Sequence, residues 1–228
     1  MFRAAALELT AFYARTVSRA PIIGYLAQHR LDLFTGDPQI TRGPSLIAED
    51  ATTGAVHDVA ATLTRLANSD GTARVEIRGA QLAVGWANAG AGASSSLDAA
   101  RGLLEALVAA HAATGAWPIG VRHRSHAYRT VADPVAAVAA QLAAPIAGEL
   151  VGAEIAVRTA RVIGGRRATA AVRQQAAAGL RVTDGPVVIA EIDIHVLPAE
   201  PPLDRPALAA LLDDIELAGA ELQRALPA

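Results

Sequence analysis

The chain has no cysteine among its 228 residues. Disulfide bonds, a thiol nucleophile, iron–sulfur ligation and every cysteine-ligated zinc site are therefore excluded. The protein consequently needs no particular redox compartment in order to fold.

Lysine is also absent, and all 20 cationic residues are arginine. An enzyme that forms a Schiff base needs a lysine amine. A Walker P-loop and a protein kinase each need a lysine that contacts phosphate groups. None of these three chemistries can be assembled from the side chains of this chain.

Long apolar runs are missing, because no stretch approaches the ~18 uncharged apolar residues of a membrane-spanning helix. Charged residues interrupt Phe2–Ala20 at Arg3, Glu8, Arg15 and Arg19, a pattern that does not match a signal peptide. We therefore expect a protein of the cytoplasm, or of an assembled particle, with no membrane partner. A net charge of −2 and an aromatic content of 4% argue against nucleic acid as a partner.

The charges are unevenly distributed along the chain. The segment Val121–Arg181 contains nine arginines and three carboxylates, whereas the chain from Glu191 onward contains eight carboxylates and two arginines. A basic middle and an acidic tail could pair within one chain or between neighbouring copies. The alternative interpretation is a set of scattered, solvated charges.

Hydrophobic residues make up 52% of the chain, which is ample for a core. Predicted helices and adjacent strand pairs are mixed along the sequence, which favours an α+β fold with a mixed or antiparallel sheet core and flanking N-terminal and C-terminal helices. We predict an N-terminal helical arm over 1–44, an α+β core over 45–198 and a proline-linked C-terminal helix over 199–228.

Periodicity and capping signals predict the individual elements. Asp133 before Pro134, and Asp204 before the last apolar stripe, are N-cap signals. The predicted helices are Phe2–Ala20, Ile22–Phe34, Thr53–Ala67, Leu97–His111, Pro134–Leu150 and Arg205–Leu226. The predicted strands are Arg74–Arg78, Gln81–Ala87, Ile119–Val131, Glu154–Ile163, Arg166–Arg173, Leu180–Thr183 and Val187–Leu197. For Arg166–Arg173 the alternative is a helix over Ala168–Ala178.

The first segment that could carry chemistry is the glycine- and serine-rich stretch between a predicted strand and the helix Leu97–His111. Backbone amides at a helix start attract anions, and glycines let a phosphate approach the backbone. The candidate anion-binding residues are Gly90, Gly92, Ser94, Ser95 and Ser96. The alternative is a strand-to-helix connection with a serine N-cap.

This stretch resembles the phosphate loop of the GHMP small-molecule kinase family, in which paired serines follow glycines and open a helix. The matching residues are Gly90, Gly92 and Ser94–Ser96, followed by Leu97 and small residues. The resemblance implies a phosphate-binding loop. It is confined to this short stretch, and the N-terminal substrate-binding strand of that family has no counterpart here.

The second candidate is the strand segment Glu191–His195. Alternate side chains of a strand share one face, so Glu191, Asp193 and His195 are expected to stand together, opposite Ile192 and Ile194. Two carboxylates and an imidazole are ligands for a divalent metal, and His195 is also a candidate proton-transfer group. The alternative is a half-exposed strand whose carboxylates pair with arginines of the neighbouring hairpin.

The third candidate is the strand segment Arg122–Arg129. Arg122, Arg124, His126 and Tyr128 share one face, on which Arg122 and Arg124 could bind an anion and His126 could transfer protons. A subunit interface or a solvated strand explains the same pattern.

Two functions follow from these observations. The first is a non-catalytic structural or assembly subunit that self-associates, as a ring, particle or scaffold component. The second is an enzyme or binding protein for a small anionic, phosphate-bearing metabolite that uses the Gly90–Ser96 loop. In both we expect no cofactor, and in the first we expect the partner to be the chain itself.

Overall fold

A computed structural model describes residues 3–30, 39–42, 46–49, 56–59, 62–69, 71–87, 93–141, 152–177, 181–182 and 185–226. The strands there are β1 Arg3–Phe12, β2 Gln39–Arg42, β3 Leu46–Glu49, β4 Val56–Val59, β5 Thr62–Ala67, β6 Ala73–Arg78, β7 Gln81–Ala87, β8 Gly120–Thr130, β9 Gly152–Ile163, β10 Arg166–Ala177, β11 Arg181–Val182 and β12 Gly185–Val196. The helices are α1 Arg19–His29, α2 Ala93–Ala112, α3 Pro134–Ala139 and α4 Arg205–Arg224.

Nine of these strands form one antiparallel sheet in the order β2-β5-β6-β7-β1-β8-β12-β10-β9. The short β11 pairs with β12, and β3 and β4 form a separate two-stranded pair. The α+β prediction with an antiparallel sheet is therefore confirmed, although the protein is mostly sheet. Of the two flanking helices expected, the C-terminal one is present as α4.

The predicted helix Phe2–Ala20 is wrong, because Arg3–Phe12 is strand β1. This strand lies between β7 and β8 near the middle of the sheet. Leu7, Leu9 and Ala11 are buried, which is the period-2 pattern of a strand. The alanines in this segment favour a helix by intrinsic propensity. That preference is weak, and the pairing of β1 with a neighbouring strand on each side overrides it. Helix α1 begins only at Arg19 and overlaps the predicted Ile22–Phe34 helix.

The predicted helix Thr53–Ala67 is also wrong, since the described part of that segment contains strands β4 and β5. Thr64 and Leu66 of β5 are buried and Arg65 between them is exposed, so the period is again two. The division of the chain at residues 44 and 198 stays a prediction.

Most of the other elements were predicted correctly. The hairpin of β6 and β7, helix α2, strand β8 and the Gly164–Gly165 turn between β9 and β10 are confirmed. The caps are confirmed too, because Asp133 accepts a hydrogen bond from the Ala136 amide and Asp204 accepts one from the Ala207 amide. Helix α3 ends at Ala139, and the rest of the predicted Pro134–Leu150 helix from residue 142 onward lies outside the described residues.

Helices α2, α3 and α4 pack on the same face of the sheet. Helix α2 packs on β1 and β7, α4 packs on β12 and β9, and α3 packs on β9, β10 and β12. The residues that meet these helices from the strands include Leu9, Ile194 and Val188, all buried. We call this side the helix face, and the opposite side the open face. No described helix is both long and apolar enough to span a membrane.

Candidate functional site

The charged residues of the two central strands β8 and β12 lie on the open face. Arg124 is opposite Asp193 in the antiparallel pairing, and His126 is opposite Glu191. The alternation predicted for Glu191–His195 is present, because Ile192 and Ile194 are buried on the helix face. Side-chain alternation therefore brings Arg122, Arg124, Glu191 and Asp193 onto one surface.

Arg122 and Asp193 form the best-defined ion pair of this surface. The Arg122 guanidinium donates two hydrogen bonds to the Asp193 carboxylate, with an Nε–Oδ1 distance of 2.7 Å. Partial burial would raise the pKa of Asp193, but the hydrogen bond and charge of Arg122 outweigh it and hold the pKa below its ordinary value. Such fork-to-fork pairing fixes both side chains, so this carboxylate is ionised and engaged.

Glu191 is shared between two residues of β8. Its carboxylate lies 3.8 Å from Arg124 Nε and 3.3 Å from His126 Nε2. The alternative interpretation of this strand pairs its carboxylates with arginines of the neighbouring hairpin. The partners are instead arginines of β8, because β8 is the strand that lies beside β12 on the other side.

His195 lies at the end of this surface and packs against an aromatic ring. The ring centroids of His195 and Phe12 are 5.0 Å apart, and the two planes are tilted by 35°. Burial, with a further contribution from the positive charge of Arg122, lowers the pKa of His195. The imidazole is therefore neutral at pH 7, and its surroundings are those of a packed side chain.

The proposed metal ligands Glu191, Asp193 and His195 share a face. The two carboxylates form ion pairs with arginines, and the His195 ring packs against Phe12. Within the described part of the chain, no group of three or more histidine, aspartate or glutamate side chains is placed to hold a metal ion. The observed ion pairs are those of a half-exposed sheet.

The proposed anion site combined the Gly90–Ser96 loop with Arg122 and Arg124. Gly90 and Gly92 lie outside the described residues, and Ser94, Ser95 and Ser96 lie in the first turns of α2. Helix α2 packs on the helix face, whereas Arg122 and Arg124 lie on the open face. The structure therefore does not bring these serines and these arginines to the same side of the sheet, and the anion site stays a prediction.

The ion-paired surface extends beyond the residues that the sequence singled out. Arg74 of β6 donates to Glu8 of β1 at 2.8 Å and lies 3.4 Å from Glu76, which also accepts from Arg65 at 2.8 Å. Sequence reasoning missed Glu8 because β1 was interpreted as a helix. The signal that would have found it is the alternation Leu7, Leu9, Ala11 around Glu8 and Thr10.

Two histidines that the sequence did not single out are buried on the other side. His123 lies on the helix face next to Gly219 of α4, and burial lowers its pKa to about 4. His111 of α2 accepts a hydrogen bond from the Ser18 amide at 3.0 Å and packs edge-on against Tyr13. Burial lowers the pKa of His111 as well. Both imidazoles are neutral core groups at pH 7.

One edge of the sheet is formed by β9, a strand of 12 residues. Among the described residues it pairs with β10 alone, over twelve consecutive pairs without a bulge. Two large apolar side chains of this strand are exposed, Val157 at 58% and Val162 at 72%. At the other edge, β2 has four residues. Strand β2 also exposes one large apolar side chain, Ile40 at 61%, but the β9 edge is the longer of the two and exposes two such side chains.

The charged residues of β9 differ in what they contact. Glu154 lies 3.3 Å from Arg173 of β10, and Arg161 lies 3.5 Å from Glu221 of α4. Arg158 is exposed, and its neighbour across the sheet is Ala171. Because Ala171 is itself opposite Asp193, Arg158 lies on the open face.

No protein-family model and no curated protein matches the sequence of this chain.

Proposed function

We propose that this protein is a non-catalytic subunit that works by self-association, and that copies associate through the free edge of β9. The observation that carries the proposal is the length and regularity of this edge together with its exposed valines. An edge strand presents a row of unpaired N–H and C=O groups, which is a template for pairing with another strand.

Several of the features that usually protect a sheet edge are missing from β9 in the part of the chain that the structure describes. Natural proteins keep edge strands short, interrupt them with a bulge or proline, or place lysines on them. Strand β9 is long, pairs in continuous register and contains neither proline nor lysine. It does contain charged residues, so pairing of this edge depends on which charges meet.

The packing of β9 also supports a role in binding. The turn that follows β9 packs tightly against α4. There is no room for a side chain at Gly164, since a Cβ atom placed on it would lie only 2.8 Å from the Leu211 side chain. Arg166, just after the turn, donates hydrogen bonds to the backbone oxygens of Ile119, Ala199 and Pro201. An edge fixed before association loses little conformational entropy on binding.

Sedimentation velocity over a wide range of protein concentration tests this proposal. We expect the unmodified protein to form a defined oligomer, and the Val157→Lys variant to dissociate because a lysine on the edge opposes strand pairing. The matched control is Leu217→Lys, since Leu217 is 61% exposed but lies on α4. An unmodified protein that stays monomeric at every concentration would rule the proposal out.

A further inference from the structure

We infer that the occupant of the β9 edge is a second copy of the same strand, paired antiparallel about a two-fold axis through Ala156. In this arrangement Glu154 of each copy lies directly opposite Arg158 of the other. The inference rests on the proposed function, and it adds the partner strand, the register and the number of copies.

The backbone of β9 is suited to pairing at Ala156. Ile163 and Arg166 flank a two-residue turn, so they form a hydrogen-bonded pair, and such pairs alternate along the hairpin. The backbone N–H and C=O groups of Ile163 and the other odd-numbered residues of β9 then point toward β10. Those of even-numbered residues, Ala156 among them, point to the free edge and can form the central hydrogen-bonded pair of a symmetric contact.

The symmetry restricts the registers that need comparison. Antiparallel strands in one continuous sheet are related by a two-fold axis perpendicular to the sheet, so residues directly opposite each other share a face. Arg158 lies on the open face, because it is opposite Ala171, which is opposite Asp193. Glu154 lies on the same face, since it is four residues from Arg158 in the same strand. A charge pair across the axis is therefore geometrically allowed.

Charge complementarity selects one register among these. A two-fold axis through Ala156 places Glu154 opposite Arg158 twice, and it places Ile155 opposite Val157 twice on the other face. An axis through Glu154, Arg158 or Arg161 places like charges opposite each other, which is destabilising. Axes through the remaining residues of β9 bring no opposite charges into direct contact.

The contacts within one copy favour the same choice. Arg161 already pairs with Glu221, whereas Arg158 has an exposed side chain with Ala171 as its neighbour on β10. Glu154 is 53% exposed although it pairs with Arg173, so a second arginine can reach it. The contact would bury the half-exposed Val157 against Ile155 of the other copy.

This contact is isologous, since the same strand is used by both copies. One such contact consumes the β9 edge of each chain, and the assembly closes at two copies. We therefore expect a dimer with one continuous sheet, in which all the helix layers lie on one side and both open faces lie on the other.

Charge-reversal variants analysed by native mass spectrometry and sedimentation test the register. We expect Glu154→Arg alone and Arg158→Glu alone each to weaken the homodimer by at least about tenfold, because four like charges then face each other. A mixture of the two single variants should form heterodimers, since each reversed residue meets an opposite charge. The double variant should dimerise like the unmodified protein, and Arg205→Glu, an exposed reversal on α4, is the control.

The outcomes separate this inference from the proposed function. If the unmodified protein is monomeric, both fail. If it is a dimer that Val157→Lys dissociates but the charge reversals leave unchanged, the β9 edge is used in another register and only the present inference is overturned. Formation of heterodimers also shows that both single variants fold, so that a loss of homodimer cannot be attributed to unfolding.

Discussion

The two faces of the sheet are built from the same strands by opposite means. On the helix face, Leu9, His123 and Ile194 are covered by α2 and α4 and are nearly inaccessible to solvent. On the open face, their strand neighbours Arg122 and Asp193 are engaged by side chains of adjacent strands and remain partly exposed. The helix face thus gains its stability from burial of apolar area, while the open face depends on ion pairs in contact with water.

Adjacent residues of β12 offer the strongest test of this difference. We expect Ile194→Ala to lower the free energy of unfolding by about 2–5 kcal/mol, because its side chain is fully buried and a cavity remains. His195→Ala, one residue further on and facing the other way, should cost about 1 kcal/mol through loss of its contact with Phe12. Urea unfolding of both variants measures the two values. Equal losses would mean that the open face is covered in the same way as the helix face.

The second largest effect is a pH dependence that arises on the helix face. Burial lowers the pKa of His123 to about 4, although the negative charge of Asp193 opposes the shift. The folded state therefore prefers neutral imidazole. Its contribution to stability is complete above the unfolded pKa of about 6.5 and decreases as the pH falls toward 4, by about 3 kcal/mol in all.

Urea unfolding between pH 7 and pH 4 checks this expectation. The His123→Leu variant should lose less stability over the same interval, since the buried titrating group has been removed. His111 has a lowered pKa for the same reason and contributes with the same sign, so a residual slope is expected in the variant. A slope unchanged by His123→Leu would assign the pH dependence to other groups.

The smallest effects are expected on the open face itself. Asp193→Asn should cost about 1–2 kcal/mol, because Arg122 loses a charged, bidentate partner in a partly buried position. Arg65→Ala should change stability by about 0.5 kcal/mol or less, since Arg65 is 48% exposed and its pair with Glu76 is solvated. Thermal unfolding at low and high salt tests both, and the Arg65 contribution should be the more salt-sensitive.

The same contrast explains which elements could be predicted from the sequence. Strand β6 and the Glu191–Val196 half of β12 alternate apolar residues with polar ones, and β7 alternates large apolar residues with small ones, so their period of two is visible. In β1 the alternation is harder to recognise, because alanines occur on both faces of the strand. Alanine has the highest intrinsic helix propensity, while its small side chain adds little to an apolar pattern. Local sequence therefore indicates a helix where the packing of β7 and β8 against β1 requires a strand.

For the candidate site, the sequence predicts which residues share a face but not which residues they contact. Sequence alternation gave the common face of Glu191, Asp193 and His195, because that face depends only on the geometry of one strand. It did not give their partners, since these depend on which strand lies beside β12. Nor did it indicate that β9 is a sheet edge, which follows from the order of nine strands and not from any property of the segment itself.

The central position of β1 has a consequence for synthesis on the ribosome. Its neighbour β7 is complete at residue 87, but its other neighbour β8 is complete only at residue 130. At the usual rate of translation the first strand waits on the order of ten seconds for its second partner. During that interval one backbone edge of an apolar strand is open to water and to nascent chains on the same messenger.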